Sequence, residues 1–262
     1  MFFSVIKPNE PFLREAANDM TSSTYAEHQW VWNFFPSSPE QKRDFIYRRH
    51  LVDQMPCFYV VSTRQPKLLS EAWDVQSRAY EPRLQLGQRL SFHLRANPVV
   101  GRLGGPAIDK DGNPKIHSTG KRKDEAELKS VRHDVVMHAK KQLLLKQGFS
   151  GNAKWADWKD SNKPLIYDLV QKNCARWLEG VAQRNGFEIA LTNEATPQQI
   201  LQVDAYTQNK AGKRDRLINF SSVDFSGELL VTNPDLFQSA LLNGIGHAKA
   251  FGCGLLLVRR PD

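Results

Sequence analysis

The sequence predicts an α+β fold on three observations. Short runs that alternate apolar and polar residues lie beside longer runs with apolar residues at helical spacing. The two kinds of segment recur in a similar order in each half of the chain. Glycine- and proline-rich stretches separate them. A chain of 262 residues can hold one large domain or, more readily, two of about 100–130 residues, each with its own core.

Phe2 to Ile6 reads as the first strand, followed by a polar connection, Lys7 to Met20, with helical character after Pro11. Thr21-Ser22-Ser23 offers capping oxygens for a helix whose apolar residues run from Tyr25 to Phe35, where Pro36 stops it. Trp30, Phe34 and Phe35 on that helix are assigned to the core. Asp44 to Arg48 and Phe58 to Ser62 read as strands joined by a polar segment, with a further strand at Asp74 to Tyr80. Strand, helix, strand, strand and strand again is the order of a ferredoxin-like unit.

A second unit opens at Arg89 to Ala96, which alternates with period two. Gly101 to Gly120 reads as a loop. Asp124 to Gln147 has Leu128, Val131, Val135, Ala139 and Leu143 on one face and predicts an amphipathic helix behind the Lys121-Arg122-Lys123 run. Gly148 to Pro164 breaks that pattern and holds Trp155 and Trp158. A second helix spans Leu165 to Arg184 and ends before Gly186. Ile200 to Thr207 and Leu217 to Phe225 read as paired strands around Gln208 to Lys213. Asn233-Pro234-Asp235 opens a helix with an Asn cap and Pro at its first position. Glycines follow it and lead into a terminal strand, Leu255 to Val258. The division expected is 1–86 and 87–262, with a helical enlargement at about 121–196.

Lys and Arg total 36 against 28 acids, a net charge of +8, which points to a polyanionic partner, most simply nucleic acid. A general solubility charge is the plain alternative. Cys57, Cys174 and Cys253 are scattered and fit small apolar fillers in a reducing compartment. Met1 to Ile6 is too short and lacks the basic start of a signal peptide, and no apolar run nears the ~20 residues that cross a bilayer. The expectation is a cytoplasmic protein.

Gly244, Gly246, Gly252 and Gly254 leave backbone amides open around Lys249, a combination suited to phosphate. Neither a dinucleotide fingerprint nor a P-loop is present, since both place glycines after a strand and before a helix. Tyr25 and His28 lie three residues apart, so on a helix their side chains share a face. A histidine titrates near neutrality and can move a proton in phosphoryl chemistry. The plain alternative is a packed tyrosine and a solvated histidine.

No metal-ligand spacing occurs. His133 and His138, the closest pair of seven histidines, would lie on different faces of one helix. Asp134 and His138 read as a structural i,i+4 pair. A nucleophile elbow is absent, and His247 reads as a packing or phosphate-contact residue. Lys210, Lys213, Arg214 and Arg216 gather charge on a connection between strands that could track a nucleic-acid backbone or stand solvated.

Three segments carry a family resemblance: GIGHAKAFGCGLL at 244–256, LRANPV at 94–99 and YAEHQWVWNFFP at 25–36. Together, in this order, they resemble the CasE family, the CRISPR repeat-RNA endoribonucleases of type I-E Cascade. The resemblance implies two tandem ferredoxin-like (RRM-like) domains facing across a basic cleft. It implies cleavage of precursor CRISPR RNA once per repeat, at the base of a hairpin, with neither metal nor cofactor. The product hairpin would stay bound and the protein would join the other Cascade subunits. Tyr25 and His28 match the family's catalytic pair, and Lys249 matches the lysine of its glycine loop. Lys213, Arg214 and Arg216 are carried over as a group of RNA-binding cations, beside Gly244, Gly246, Gly252 and Gly254. The region from about Lys121 to Thr196 exceeds the compact members, and the connection from Lys7 to Met20 is extended. A rival reading from another class is a non-catalytic scaffold for an RNA hairpin.

Overall fold

A computed structural model describes residues 1–19, 24–36, 40–103, 130–213 and 216–261; of 24–26, 102–103, 130–131, 212–213 and 216–217 the backbone alone is described. The chain divides into two compact units, one of residues 1–98 with 170–262 and one of residues 99–169.

The first unit begins with β1 (Phe2–Pro8), α1 (Leu13–Asp19) and α2 (Thr24–Asn33), then β2 (Phe45–Val52), β3 (Met55–Ser62) and β4 (Trp73–Ala79). These strands form a four-stranded antiparallel sheet in the order β2-β3-β1-β4. One face takes α2 through Trp30 and Val31, and the turn after it through Phe34 and Phe35, which meet Ile6, Phe45, Tyr47, Phe58, Val60 and Trp73. Trp30 lies 4.4 Å from Trp73 and 4.8 Å from Phe58 between ring centroids, so the core assignment of these aromatics holds. Each such ring removes about 1.5–3 kcal/mol worth of apolar surface from water, which is what fixes α2 to the sheet. A bidentate pair of Arg64 with Asp44 (2.6 and 2.9 Å) ties the helix exit down, since Arg64 also donates to the Pro36 carbonyl at 2.7 Å. Both expected strands are longer than read, because Asp53 and Gln54 take positive φ and close β2 and β3 into a tight hairpin.

The unit's second sheet holds β5 (Arg89–Ala96), β8 (Phe187–Ile189), β10 (Arg216–Val231) and β11 (Leu256–Arg259), in the order β11-β5-β10-β8, with β9 (Leu201–Lys213) also on β10. Alternation along β5 buries Leu90, Phe92, Leu94 and Ala96, as expected. Buried residues of α4 (Ile166–Arg184) and α5 (Pro234–Asn243) include Cys174, Trp177, Leu178, Phe237 and Leu241. Trp177 stacks on Phe225 of β10 at 6.0 Å. Asn233 caps α5 by accepting from Leu236 N at 3.0 Å, with Pro234 at the first position, as the sequence predicts. All three cysteines are buried and none is in a disulfide, which suits their reading as fillers, and burial pushes the Cys253 thiol up to about 12. On the face of the first sheet away from α2, Ile46 and Val61 pack with Leu255, just before β11, and Phe3, Tyr59 and Leu257 join them.

The second unit carries β6 (Val99–Leu103), β7 (Ser130–Asp134) and α3 (Val135–Lys146). This corrects the expected helix from Asp124: residues 130–134 pair with β6 as an antiparallel strand, and 124–129 lie outside the described residues, as does the Lys121-Arg122-Lys123 run. Cross-strand pairing with β6 overrides the helical spacing there. Asp134 then starts the helix by accepting from Met137 N at 2.7 Å. In consequence His133 and His138 sit on different elements, and their rings approach to 6.1 Å rather than pointing apart. The expected loop 101–120 begins as β6, and the remainder lies outside the described residues. Trp158 is fully buried, and Trp155 packs against it edge-on at 5.4 Å. Lys163 donates to both of their carbonyls, at 2.7 and 3.0 Å.

Among the described residues no helix is long and apolar enough to cross a membrane.

Candidate functional site

Three pieces converge in the first unit: α2, the middle of β2, and the loop between α5 and β11. Helix α2 and β2 both pack against the one-turn helix Lys249–Phe251 in that loop. The helix that carries Tyr25 and His28 thus meets the glycine loop that carries Lys249, two features more than 200 residues apart in the chain.

His28 projects from α2 into aromatic surroundings. Its ring stands edge-on to Trp32 at 5.8 Å, tilted against Phe45 at 5.8 Å, and parallel to Tyr47 at 6.3 Å. Trp32, Phe45 and Tyr47 thus line the ring, which limits its rotation. Tyr25 lies in the first turn of the same helix.

Beside His28, Glu27 is buried, with its carboxylate 3.3 Å from Arg49 Nη1. Burial raises its pKa, against the opposing pull of Arg49, a hydrogen bond with Tyr47, and the charge of Arg95. Tyr47 is wholly buried, and its hydroxyl donates to the Ala250 carbonyl of the glycine loop at 3.3 Å. Burial, followed by the Glu27 charge, pushes this phenol far up, so it stays protonated. Glu27, Arg49 and Tyr47 thus join helix, strand and loop through one polar cluster under His28.

The glycine loop is closed on itself. Ile245 N donates to Gly254 O at 2.8 Å, Gly254 N to Arg95 O of β5 at 2.7 Å, and Gly244 N to Ala240 O at 2.9 Å. These three amides are spent within the fold. Gly254 has φ +94°, and a Cβ there would stand 2.5 Å from Ile245 O; at Gly244, φ +73°, it would stand 2.9 Å from Ile46 Cδ1. Gly246 and Gly252 also have φ above +70°, with open space or ordinary contacts around them. Lys249 Nζ donates to Asn243 O, the last carbonyl of α5, at 2.8 Å. This cation caps the helix terminus. Burial and neighbouring Arg43 lower its pKa. His247 is exposed.

Gln208 to Lys213 were expected to be a connection, but they are strand. The hairpin runs to Lys213 opposite Arg216, and Arg214 lies outside the described residues. The β9 arm is on the order of 40 Å long at ~3.3 Å per residue. Lys210 is an exposed ladder residue opposite Asn219, and Lys213 and Arg216 fall at the far end. Lys210, Lys213 and Arg216 are therefore carried on a two-stranded ribbon instead of a loop.

The sequence reading missed Glu27, Tyr47, Arg48, Arg49, Arg95 and Asp224. Arg95 binds Asp224 in bidentate fashion, at 2.7 and 3.0 Å, and Arg48 reaches the same carboxylate at 3.3 Å. One signal was present: Arg48 and Arg49 follow three residues, Phe45 to Tyr47, that are all buried. Charges placed against a core strand need partners.

A paired-sheet α+β protein with a histidine-bearing helix on a glycine loop is the class that fold and site define. The chain belongs to the CRISPR associated protein family, which matches residues 1–260. Similarity extends over 234 residues, at 24% identity, to "CRISPR system Cascade subunit CasE" of Escherichia coli, covering 88% of this chain and 89% of that one. It extends over 184 residues, also at 24% identity, to "CRISPR-associated endoribonuclease Cse3" of Thermus thermophilus, covering 69% and 60%. Among solved structures, CRISPR endoribonuclease Cse3 bound to a 19-nucleotide RNA aligns with a TM-score of 0.62 and 21% identity over 99% of this chain and all of that one. Cas6e of Escherichia coli aligns with a TM-score of 0.54 and 18% identity over the whole of both chains. The likeness to CasE read from three segments is borne out, and the structural matches show the shared fold.

Proposed function

We propose that the protein is an endoribonuclease that cuts precursor CRISPR RNA within the repeat hairpin and remains bound to the mature guide RNA as a Cascade subunit. The observation that carries this reading is the contact of α2, with His28, against the Lys249 turn of the glycine loop. That contact unites the two most distinctive sequence segments in one place. The relatives named above support it, one by the name endoribonuclease and one by the name Cascade subunit. Each sheet has the 4-1-3-2 strand order, β4-β1-β3-β2 and β11-β5-β10-β8, which fits two ferredoxin-like domains, 1–86 and 87–262.

In the reaction, the ribose 2′-hydroxyl upstream of the scissile bond attacks phosphorus in line. The downstream 5′-oxygen leaves, giving a 2′,3′-cyclic phosphate and a 5′-hydroxyl. No metal takes part. His28 moves one of the two protons, a contribution of about 10²–10⁴-fold, and its aromatic surroundings hold the ring in one orientation. Tyr25 positions the hydroxyl or the imidazole. Lys249 uses one of its three donors on Asn243 and keeps two for a phosphate oxygen. Lys213, Arg214 and Arg216 grip the stem backbone, and Gly244, Gly246, Gly252 and Gly254 shape the loop against it.

The test is a repeat RNA with a 2′-deoxy nucleotide before the cut, incubated beside the all-ribose RNA. Cleavage is expected to stop while affinity stays nearly the same. Cleavage of the deoxy substrate overturns the transesterification, and binding of the ribose substrate with no cleavage favours the scaffold.

A further inference from the structure

A cavity of about 540 Å³ opens between the two sheets of the first unit. Its lining includes Arg48 and His50 from β2, His93 and Arg95 from β5, and Asp224 from β10. Arg48 is 5% exposed, yet among the described residues its acceptor is Asp224, shared with Arg95. Its Nε and Nη1 are shielded from solvent and have no acceptor among the described residues. A buried guanidinium with two idle donors is costly unless something negative completes it. The charges nearby point the same way. Asp224 is already matched by Arg95, and Arg48, His50 and Arg259 each stand near enough to His93 to disfavour its charged form. Asp204 is the other carboxylate at the cavity, and it is exposed.

We infer that this cavity is an anion site that takes a phosphodiester group of single-stranded RNA flanking the hairpin, held by Arg48 with His50 and His93. The inference rests on the RNA reading above. A cavity of this size suits a small ligand and is far too small for a duplex, so the occupant is a strand and not the stem. Arginine matches phosphate oxygens with paired donors. Burial, followed by the neighbouring cations, keeps the His93 pKa low, with Asp224 opposing them. A bound anion reverses the sign of that influence and favours the protonated ring.

The experiment compares binding of two RNAs by the full chain, the repeat hairpin alone and the hairpin with its single-stranded flank, across salt and at pH 6 and pH 8. The flank is expected to tighten binding, more so at pH 6. Arg48→Gln is expected to remove most of that gain and to lower the salt slope for the flanked RNA by about 0.7, the value for one phosphate on a single strand. The hairpin alone is unaffected. Should Arg48→Gln fail to fold, the double variant His50→Ala, His93→Ala at exposed positions serves instead, and it should abolish the pH-dependent part of the gain. A flank that adds nothing to the wild type, with the hairpin still bound, overturns this site alone. Equal binding by variants and wild type also overturns it and leaves the cavity to a carboxylate of a protein partner. Loss of hairpin binding by the wild type defeats the RNA reading itself.

Discussion

At the scale of single residues, the carboxylate under the histidine controls how firmly helix, strand and loop are joined. Glu27 contacts Arg49 and Tyr47, and burial raises its pKa above the ordinary glutamate value. An acid whose folded pKa is raised contributes stability that is complete below its unfolded pKa and is lost as pH rises through the folded one. Wild type should therefore gain on Glu27→Gln as pH falls from 7 toward 4. Paired thermal melts measure this, and a difference that stays constant or moves the other way contradicts the assignment. Little of this cluster was legible beforehand. Tyr25 and His28 announce themselves by helical spacing, but Tyr47 and Ala250 meet only after a chain of more than 200 residues has closed on itself.

Among the elements, the glycine loop was visible as a density of glycines, and its expected role was open amides. Its geometry separates two kinds of glycine. Gly254→Ala meets both a left-handed backbone and a carbonyl at 2.5 Å, so it should cost about 2–3 kcal/mol. Gly246→Ala has the same backbone difficulty with its nearest atom, on Trp177, 3.8 Å away, and should cost about 1 kcal/mol. Chemical denaturation distinguishes them, and equal losses would refute the packing account. The same comparison of local and tertiary forces explains the reading of 130–134. Val131 and Val135 have helical spacing, yet pairing with β6 holds the segment extended until Asp134 supplies a cap. Arg89–Ala96 was legible to the residue because burial on one face and pairing on both edges agree with its alternation.

For the molecule as a whole, the excess of cations was legible in the composition, but not its distribution. A bulge between Ser222 and Asp224 shifts the register of β9 on β10 along the long ribbon that ends at Lys213 and Arg216, and no local pattern specifies it. If the ribbon tracks the RNA backbone, Lys213→Ala with Arg216→Ala should reduce the salt slope of hairpin binding by about 1.5 and leave the cleavage rate of bound RNA near wild type. An unchanged slope would remove the ribbon from the interface. The central claim is that one imidazole on α2, set against the glycine loop, performs proton transfer in metal-free RNA cleavage. Single-turnover cleavage of a repeat RNA in EDTA by wild type and by His28→Ala tests it most directly. The account predicts full activity for wild type and a loss of at least about 100-fold for the variant, with RNA still bound. A variant that cuts at the wild-type rate, or a wild type silenced by the chelator, would contradict it.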